Sequence, residues 1–247
     1  MIKKSMFAVL VLSMAITTGY AQQNTLTANE KKEGWKLLFD GTTSTGWRSA
    51  KSSTFPTSPK GWVIKDGIIT IQAANGGESA NVGDIVTVDE YSAFELVFDF
   101  KLTRGANSGV KYFVTLAENS GASAIGLEYQ VLDDDVHPDA KAGRDGNRTQ
   151  GSLYDLITAK KDGVVKPIGE WNTGKVIVYP NNHVEHWLNG KKVLEYERRS
   201  PAYRELVALS KYKVWKDFGE ADKGHILLQD HGNEVSYRNI KIKPLTK

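Results

Sequence analysis

The chain has 247 residues, no cysteine and a formal net charge of +3. Two lysines, Lys3 and Lys4, fall in the first 21 residues where there is no acid, so the remainder carries only +1. This excludes the clustered basic surface on which phosphate-backbone binding rests, and it leaves a fold that must be held by its core rather than by disulfides.

In chain order, the first element reads as a targeting segment. Lys3-Lys4, an apolar run from Met6 to Ile16 and the small residues Gly19 and Ala21 are the three parts of a secretory signal peptide. The run is too short for a permanent span, which needs about 20 apolar residues. The expected organisation is a signal peptide over 1–21, a linker over 22–29 and one domain over 30–247, exported to the periplasm or secreted, with no membrane insertion after cleavage.

Strand patterns then follow almost without a break. "WVIKDGIITI" holds Asp66-Gly67 between two β-branched runs, and "HWLNGKKVLEY" holds Asn189-Gly190 in the same way; both predict two-residue hairpins, because these residues tolerate the positive φ of a type I′ turn. "FELVFDFKL" alternates Phe94, Leu96, Phe98, Phe100 and Leu102 against polar neighbours, the period of two of a half-buried strand. "KVIVY", "HILLQ" and "YRNIKIKPL" predict further strands, and "PAYRELVAL" is the best short helix. Many short strands separated by turns point to an all-β class, an antiparallel sandwich or jelly roll. Trp35, Trp47 and Trp62 lie among the N-terminal strands and are expected in its core.

Two stretches interrupt the rhythm, 72–84 and 133–151. Long loops in compact domains often border a site, although a plain surface insertion is the alternative. The Asp-rich start of the second lacks the spacing of a calcium loop.

Just before it, "GLEYQVLDDD" sets Glu128 and Gln130 on one side of a strand and Leu127, Tyr129 and Val131 on the other. Together with "GWKLLFDGTTSTGW", "GANSGVKYF", "GSLYDL", "GEWN", "HVEHWLNG" and "GHILLQDHGNEVSYRNIKIKPL", in that order, it resembles the 3-keto-disaccharide hydrolase family. The resemblance runs from about Thr27 to the C-terminus. It implies a concanavalin A-like jelly-roll sandwich of two antiparallel sheets and an exported enzyme that cleaves 3-keto-glucosides or 3-keto-disaccharides. Where many members carry an arginine shortly after the Asn-Ser-Gly, this chain has Lys111.

In such a sandwich Glu128 and Gln130 would face a groove while their neighbours fill the core. Ordinary glycoside hydrolysis needs a carboxyl pair. Related folds supply it as E-x-D-x-E or E-x-D-x-x-E, whereas here Glu128, Gln130 and Asp133 put an amide in the middle, which removes the carboxylate that would set the neighbours' pKa values apart. A 3-keto sugar asks for less. One base takes the acidified C2 hydrogen, donors hold the enolate oxygen, the C1 substituent leaves and water adds.

Glu128 is the expected base and His231 the preferred histidine, with either able to take the proton. Asn107, Lys111, Gln130 and Gln229 are candidate donors, and Tyr154, Trp171, Trp187, Lys211 and Trp215 candidate sugar contacts. A regular "HILLQDH" strand would put His225, Gln229 and His231 on one face, while His186, alternating with Val184 and Leu188, is better read as a core residue. No cofactor is expected. A metal stays open, although no H-x-H or H-x-x-x-H pair on one element supports zinc. The competing functions are a non-catalytic lectin-like module and an ordinary glycoside hydrolase.

Overall fold

The computed structural model describes residues 23–74, 82–116 and 124–246. The expected signal peptide, and residues 75–81 of the first irregular stretch, lie outside the described residues. Among those described, no helix is long and apolar enough to cross a membrane.

The elements in order are α1 (Ala28–Lys32), β1 (Lys36–Leu37), β2 (Trp47–Ser49), β3 (Trp62–Lys65), β4 (Ile68–Ile71), β5 (Ile85–Thr87), β6 (Phe94–Leu102), β7 (Asn107–Thr115) and β8 (Ile125–Leu132). There follow β9 (Asn172–Val178), β10 (His183–Leu188), β11 (Lys191–Glu197), α2 (Pro201–Ala208), β12 (His225–Leu228) and β13 (Val235–Pro244), with single 3₁₀ turns at Pro138–Lys141 and Lys211–Val214. An eight-stranded antiparallel sheet runs β11-β10-β9-β6-β13-β4-β3, with β1 also on β13; a five-stranded one runs β2-β5-β12-β7-β8. The fold is the expected jelly-roll sandwich of two antiparallel sheets.

Both predicted hairpins form. Asp66 and Gly67 have φ of 52° and 77° between β3 and β4, and Asn189 and Gly190 have 49° and 84° between β10 and β11, the double positive φ of a turn whose twist matches its strands. Along the whole length of β6 the buried inward residues alternate with half-buried outward ones. Its rings meet those of the other sheet: Phe98 packs edge-on against Tyr129 at 5.2 Å between centroids. Leu127, Tyr129 and Val131 of β8 join this core.

β7 and β8 differ from β6. Nearly every residue in them is buried, because one face meets the core and the other is covered as well. In β7 the alternation also slips: Phe113 takes φ of 52° and the register shifts between Tyr112 and Thr115, so both rings turn into the core. Arg198 stacks on Phe113 at 3.9 Å.

A polar link crosses the core. His186 Nε2 lies 2.7 Å from Tyr112 Oη, which lies 2.8 Å from Tyr196 Oη, and His186 Nδ1 lies 3.0 Å from the Gly151 carbonyl. Since a carbonyl only accepts, Nδ1 carries the proton and Nε2 accepts from the tyrosine. Burial lowers the pKa of His186 to about 4, so this ring is neutral, as its core-facing pattern suggests.

Two expectations change. Trp47 and Trp62 are core residues, but Trp35 is half-exposed beneath the ammonium groups of Lys241 and Lys243, because β1 lies at the sheet margin. The 22–29 stretch is docked from Asn24 onward rather than loose. Asn24 and Asn239 exchange backbone-to-side-chain hydrogen bonds of 2.7 and 2.8 Å, and Thr27 caps α1 in a reciprocal box with Glu30.

Candidate active site

The outward face of the five-stranded sheet carries a cavity of about 220 Å³. Its floor is β7 and β8, with Asn107, Lys111, Glu128 and Gln130; one wall is the segment after β12, with Gln229 and His231; the other is Tyr154 with Lys211, Tyr212 and Trp215.

Glu128 lies opposite Lys111 in the β7–β8 register, and its carboxylate is 3.9 Å from the Lys111 ammonium, with both side chains more than nine-tenths buried. A glycine makes room for it. A Cβ on Gly109 would stand 2.9 Å from both Cγ and Cδ of Glu128 and closer still to Oε1, so the Gly of "NSG" shapes the site by its missing side chain. Gln130 is completely buried. In the orientation that satisfies both ends of its amide, the nitrogen donates to the Ser108 carbonyl at 3.1 Å and to Glu128 Oε1 at 3.2 Å. That hydrogen bond fixes the direction of the carboxylate.

The second wall is held by Asp230, a buried carboxylate that accepts from the backbone N–H of Val82 (3.1 Å), Gly83 (2.9 Å) and Gly232 (3.0 Å), while its own N–H donates to Asp84. This fixes the chain on either side of it, so Gln229 and His231 project from a rigid segment. Gln229 Oε1 and His231 Nδ1 are buried with no hydrogen-bond partner among the described residues, a state that native proteins rarely leave unused. The His137 ring packs edge-on to that of His231 at 6.1 Å; burial, then the neighbouring His231, lowers the pKa of His137.

The loop from 133 to 151 braces the Tyr154 wall from behind. Arg148 bridges Asp139 (3.0 Å) and Asp155 (2.7 Å), and Asp155 Oδ2 accepts from the Lys211 backbone N–H at 2.7 Å. Asp155 thus ties the loop to the 3₁₀ turn, whose start is capped by Ser210. Between them lies the Tyr154 ring, with Arg148 at 5.4 Å and Lys211 at 4.4 Å. Burial, then the charge of Glu128, raises the Tyr154 pKa, so its hydroxyl is a neutral donor.

Nine of the eleven expected site residues line this cavity: Asn107, Lys111, Glu128, Gln130, Tyr154, Lys211, Trp215, Gln229 and His231. Trp171 and Trp187 do not. They stand on the outward side of the eight-stranded sheet, Trp171 covered by Arg238 at 4.0 Å and Trp187 by Lys175 at 4.4 Å. Trp171 stands just before β9 and Trp187 on β10, both strands of the eight-stranded sheet, so nearness in sequence to site motifs did not bring them to the cavity. His225 is also elsewhere. The β12 register slips between His225 and Leu227, and the strand ends at Leu228, which turns His225 toward a separate depression with Tyr91 and Lys223. Asp133 lies outside the cavity as well. It caps a turn, accepting from Gly105 N–H (2.7 Å) and Asp135 N–H (3.1 Å). The carboxyl pair of an ordinary glycosidase is therefore not assembled from Glu128 and Asp133.

Gly109, His137 and Tyr212 were not foreseen. Only the first left a trace in the sequence, as the glycine of the "NSG" in "GANSGVKYF". Among the described residues one group of His and acids has metal-like spacing, His183, Glu185 and Glu195. It is on the other sheet, and Lys192 already pairs with Glu185 at 3.3 Å and Glu195 at 2.6 Å.

Residues 34–243 match the family model described as the 3-keto-alpha-glucoside-1,2-lyase-like domain. The chain belongs to this family. It is similar to the 3-keto-disaccharide hydrolase of Bacteroides thetaiotaomicron, 36% identical over 246 aligned positions that cover 91% of this chain and 83% of that one. Two solved structures from Parabacteroides distasonis, whose assignment as glycosyl hydrolases is provisional, show the same fold. One is 33% identical with a TM-score of 0.77, covering 91% of this chain and 100% of its own; the other is 30% identical with a TM-score of 0.59, covering 81% and 99%. Four of the stretches that carry the sequence resemblance surround one cavity: "NSG" and "LEYQ" at its floor, "LYDL" and "LLQDH" at its sides.

Proposed function

We propose that the protein is an exported enzyme that cleaves 3-keto-glycosides by C2 proton abstraction, elimination and hydration. The observation that carries this reading is that Glu128 is the single carboxylate lining the cavity among the described residues, set beside a buried ammonium group. A retaining glycosidase needs two carboxyls about 5–5.5 Å apart, and an inverting one needs two further apart. A keto-sugar eliminase needs one base and one oxyanion partner. The abstracted hydrogen is on C2 and the enolate oxygen on C3, so base and partner belong a few ångströms apart, as Glu128 and Lys111 are at 3.9 Å.

In the proposed reaction Glu128 takes the C2 hydrogen as a proton, and the C–H electron pair forms the C2–C3 enolate, whose oxygen is held by Lys111 with Asn107 beside it. The enolate collapses back to the ketone, C1–C2 becomes a double bond, and the C1–O bond breaks with its electron pair on the leaving oxygen. His231 or the neutral Tyr154 hydroxyl protonates that oxygen. Water then adds across the enone, hydroxyl to C1 and proton to C2, so that the sum is hydrolysis. Gln130 holds the base in place, and Gln229 takes a sugar hydroxyl.

A cavity of about 220 Å³ is smaller than the roughly 300–1,000 Å³ sites that enclose drug-sized ligands. It suits one sugar ring with the leaving group outside. The test is aglycone release from matched 3-keto-glucosides and parent glucosides. Cleavage of the keto forms alone is expected; equal cleavage of both would restore the ordinary hydrolase, and binding of both without turnover the lectin.

A further inference from the structure

The rim of the cavity has a composition that the chemistry at its floor does not use. The segment after α2 exposes Leu209 (69%), Val214 (76%) and Trp215 (39%) within a few residues of one another, beside the exposed Lys211, Lys213 and Lys216. Trp215 and Lys211 line the opening. Large apolar side chains exposed together mark a contact surface, and an exposed tryptophan at a cavity mouth offers a flat face to an aromatic ring.

The charge at this rim is one-sided. The Lys211 ammonium lies over the rings of Tyr154 at 4.4 Å and Tyr212 at 5.2 Å and has no ion pair among the described residues. Among the described residues the acids around the cavity are engaged elsewhere: Asp155 and Asp139 bind Arg148, Asp155 also accepts the Lys211 backbone N–H, and Glu128 faces Lys111. The guanidinium of Arg148 also lies over the Tyr154 ring, at 5.4 Å. A leaving group that emerges from the cavity meets Trp215 and then an unbalanced cation.

Resting on the reading that the cavity holds a 3-keto-glucosyl ring, we propose that Lys211 and Trp215 form an aglycone subsite that selects aromatic leaving groups bearing a carboxylate. Trp215 takes the ring and Lys211 the acid, while Tyr154 braces the lysine. The neutral aromatic glycoside stacks equally well but leaves the ammonium unmatched.

The test uses two 3-keto-glucosides of equal size, with 4-carboxyphenyl and 4-carbamoylphenyl aglycones. The wild-type protein should favour the acid by about 5- to 10-fold in kcat/KM at low salt, as expected for one charge-assisted contact at a rim, and the ratio should shrink in ~0.5 M salt as screening removes it. Lys211→Met should bring the ratio near one, and Lys211→Arg should keep it. A ratio near one in the wild-type protein, or a preference that survives Lys211→Met, overturns the subsite. A separate titration of tryptophan fluorescence with the unoxidised parent glucosides should show tighter binding of the acid; equal affinities would also overturn it. If neither keto-glucoside is turned over, the proposed reaction fails, and the titration still decides the subsite.

Discussion

The outward faces of the two sheets use the same kinds of residue to opposite ends. On the eight-stranded sheet several charges meet opposite ones: Glu95 pairs with Lys175 and Lys243, Asp99 with Arg238, and Glu185 with Lys192. Trp171 and Trp187 lie under cations there. On the five-stranded sheet the polar side chains that floor the cavity are buried, and at its wall Gln229 Oε1 and His231 Nδ1 have no partner among the described residues, nor does His225 Nδ1 on β12 outside the cavity. Paired surface charges add little and cost little. Buried polar groups left open are costly, and a fold keeps them where a ligand completes them. Open groups mark a site where two of them, Gln229 and His231, face one cavity together.

The sharpest way to break this contrast is at the base. Glu128→Gln keeps the shape of the cavity, and its kcat on a 3-keto-glucoside should fall by roughly 10²- to 10⁴-fold with KM little changed, the usual contribution of general base catalysis. Next is the missing side chain beside it. Gly109→Ala would push the Glu128 carboxylate aside; because that group is the end of a flexible side chain, the melting temperature should move little while kcat falls by up to about 10²-fold, the effect of a misplacement of about 1 Å. A large loss of stability with activity retained in the folded fraction would mean that the glycine serves packing alone.

Between the faces, His186 tests the core. Its pKa is about 4 folded and 6.5 for an ordinary histidine, so below pH 6.5 the unfolded chain binds the extra proton first. Stability is then fully present above about pH 6.5 and is lost as pH falls toward 4, by roughly 2–3 kcal/mol between pH 7.5 and 4.5. Denaturant unfolding at the two pH values should show this loss, and His186→Leu, though less stable at neutral pH, should show that much less of it. The smallest effect belongs to the outer face of the larger sheet. Lys175→Ala, which removes the 3.5 Å pair with Glu95 and the cation over Trp187, should cost no more than about 1 kcal/mol and leave turnover unchanged. Altered turnover would show that this face belongs to the site.

Much of this arrangement was readable before any coordinates. Asp66-Gly67, Asn189-Gly190 and the nine-residue alternation of β6 state their own geometry, since turn φ and side-chain period are local properties. Glu128 and Gln130 were assigned to the outward face by the same alternation, and nine expected site residues share one cavity. Locality also set the limit. Which sheet a strand joins is decided by long-range pairing, and for that reason Trp171 and Trp187 were misplaced. The slip in β12 that turns His225 away comes from a bulge with no residue signature. The role of Gly109 is a cross-strand distance, and the tether from Asp155 to Lys211 spans 56 positions; neither has a period to detect.

The central claim is that Glu128 removes the C2 hydrogen. It is tested most directly by incubating a 3-keto-glucoside with the protein in deuterated water and following deuterium at C2 of recovered substrate and product. The wild-type protein should place deuterium at C2, and Glu128→Gln should lose that incorporation in parallel with turnover. A Glu128→Gln variant that binds the sugar more weakly yet still exchanges C2 at the wild-type rate would contradict the account and move the base to His231.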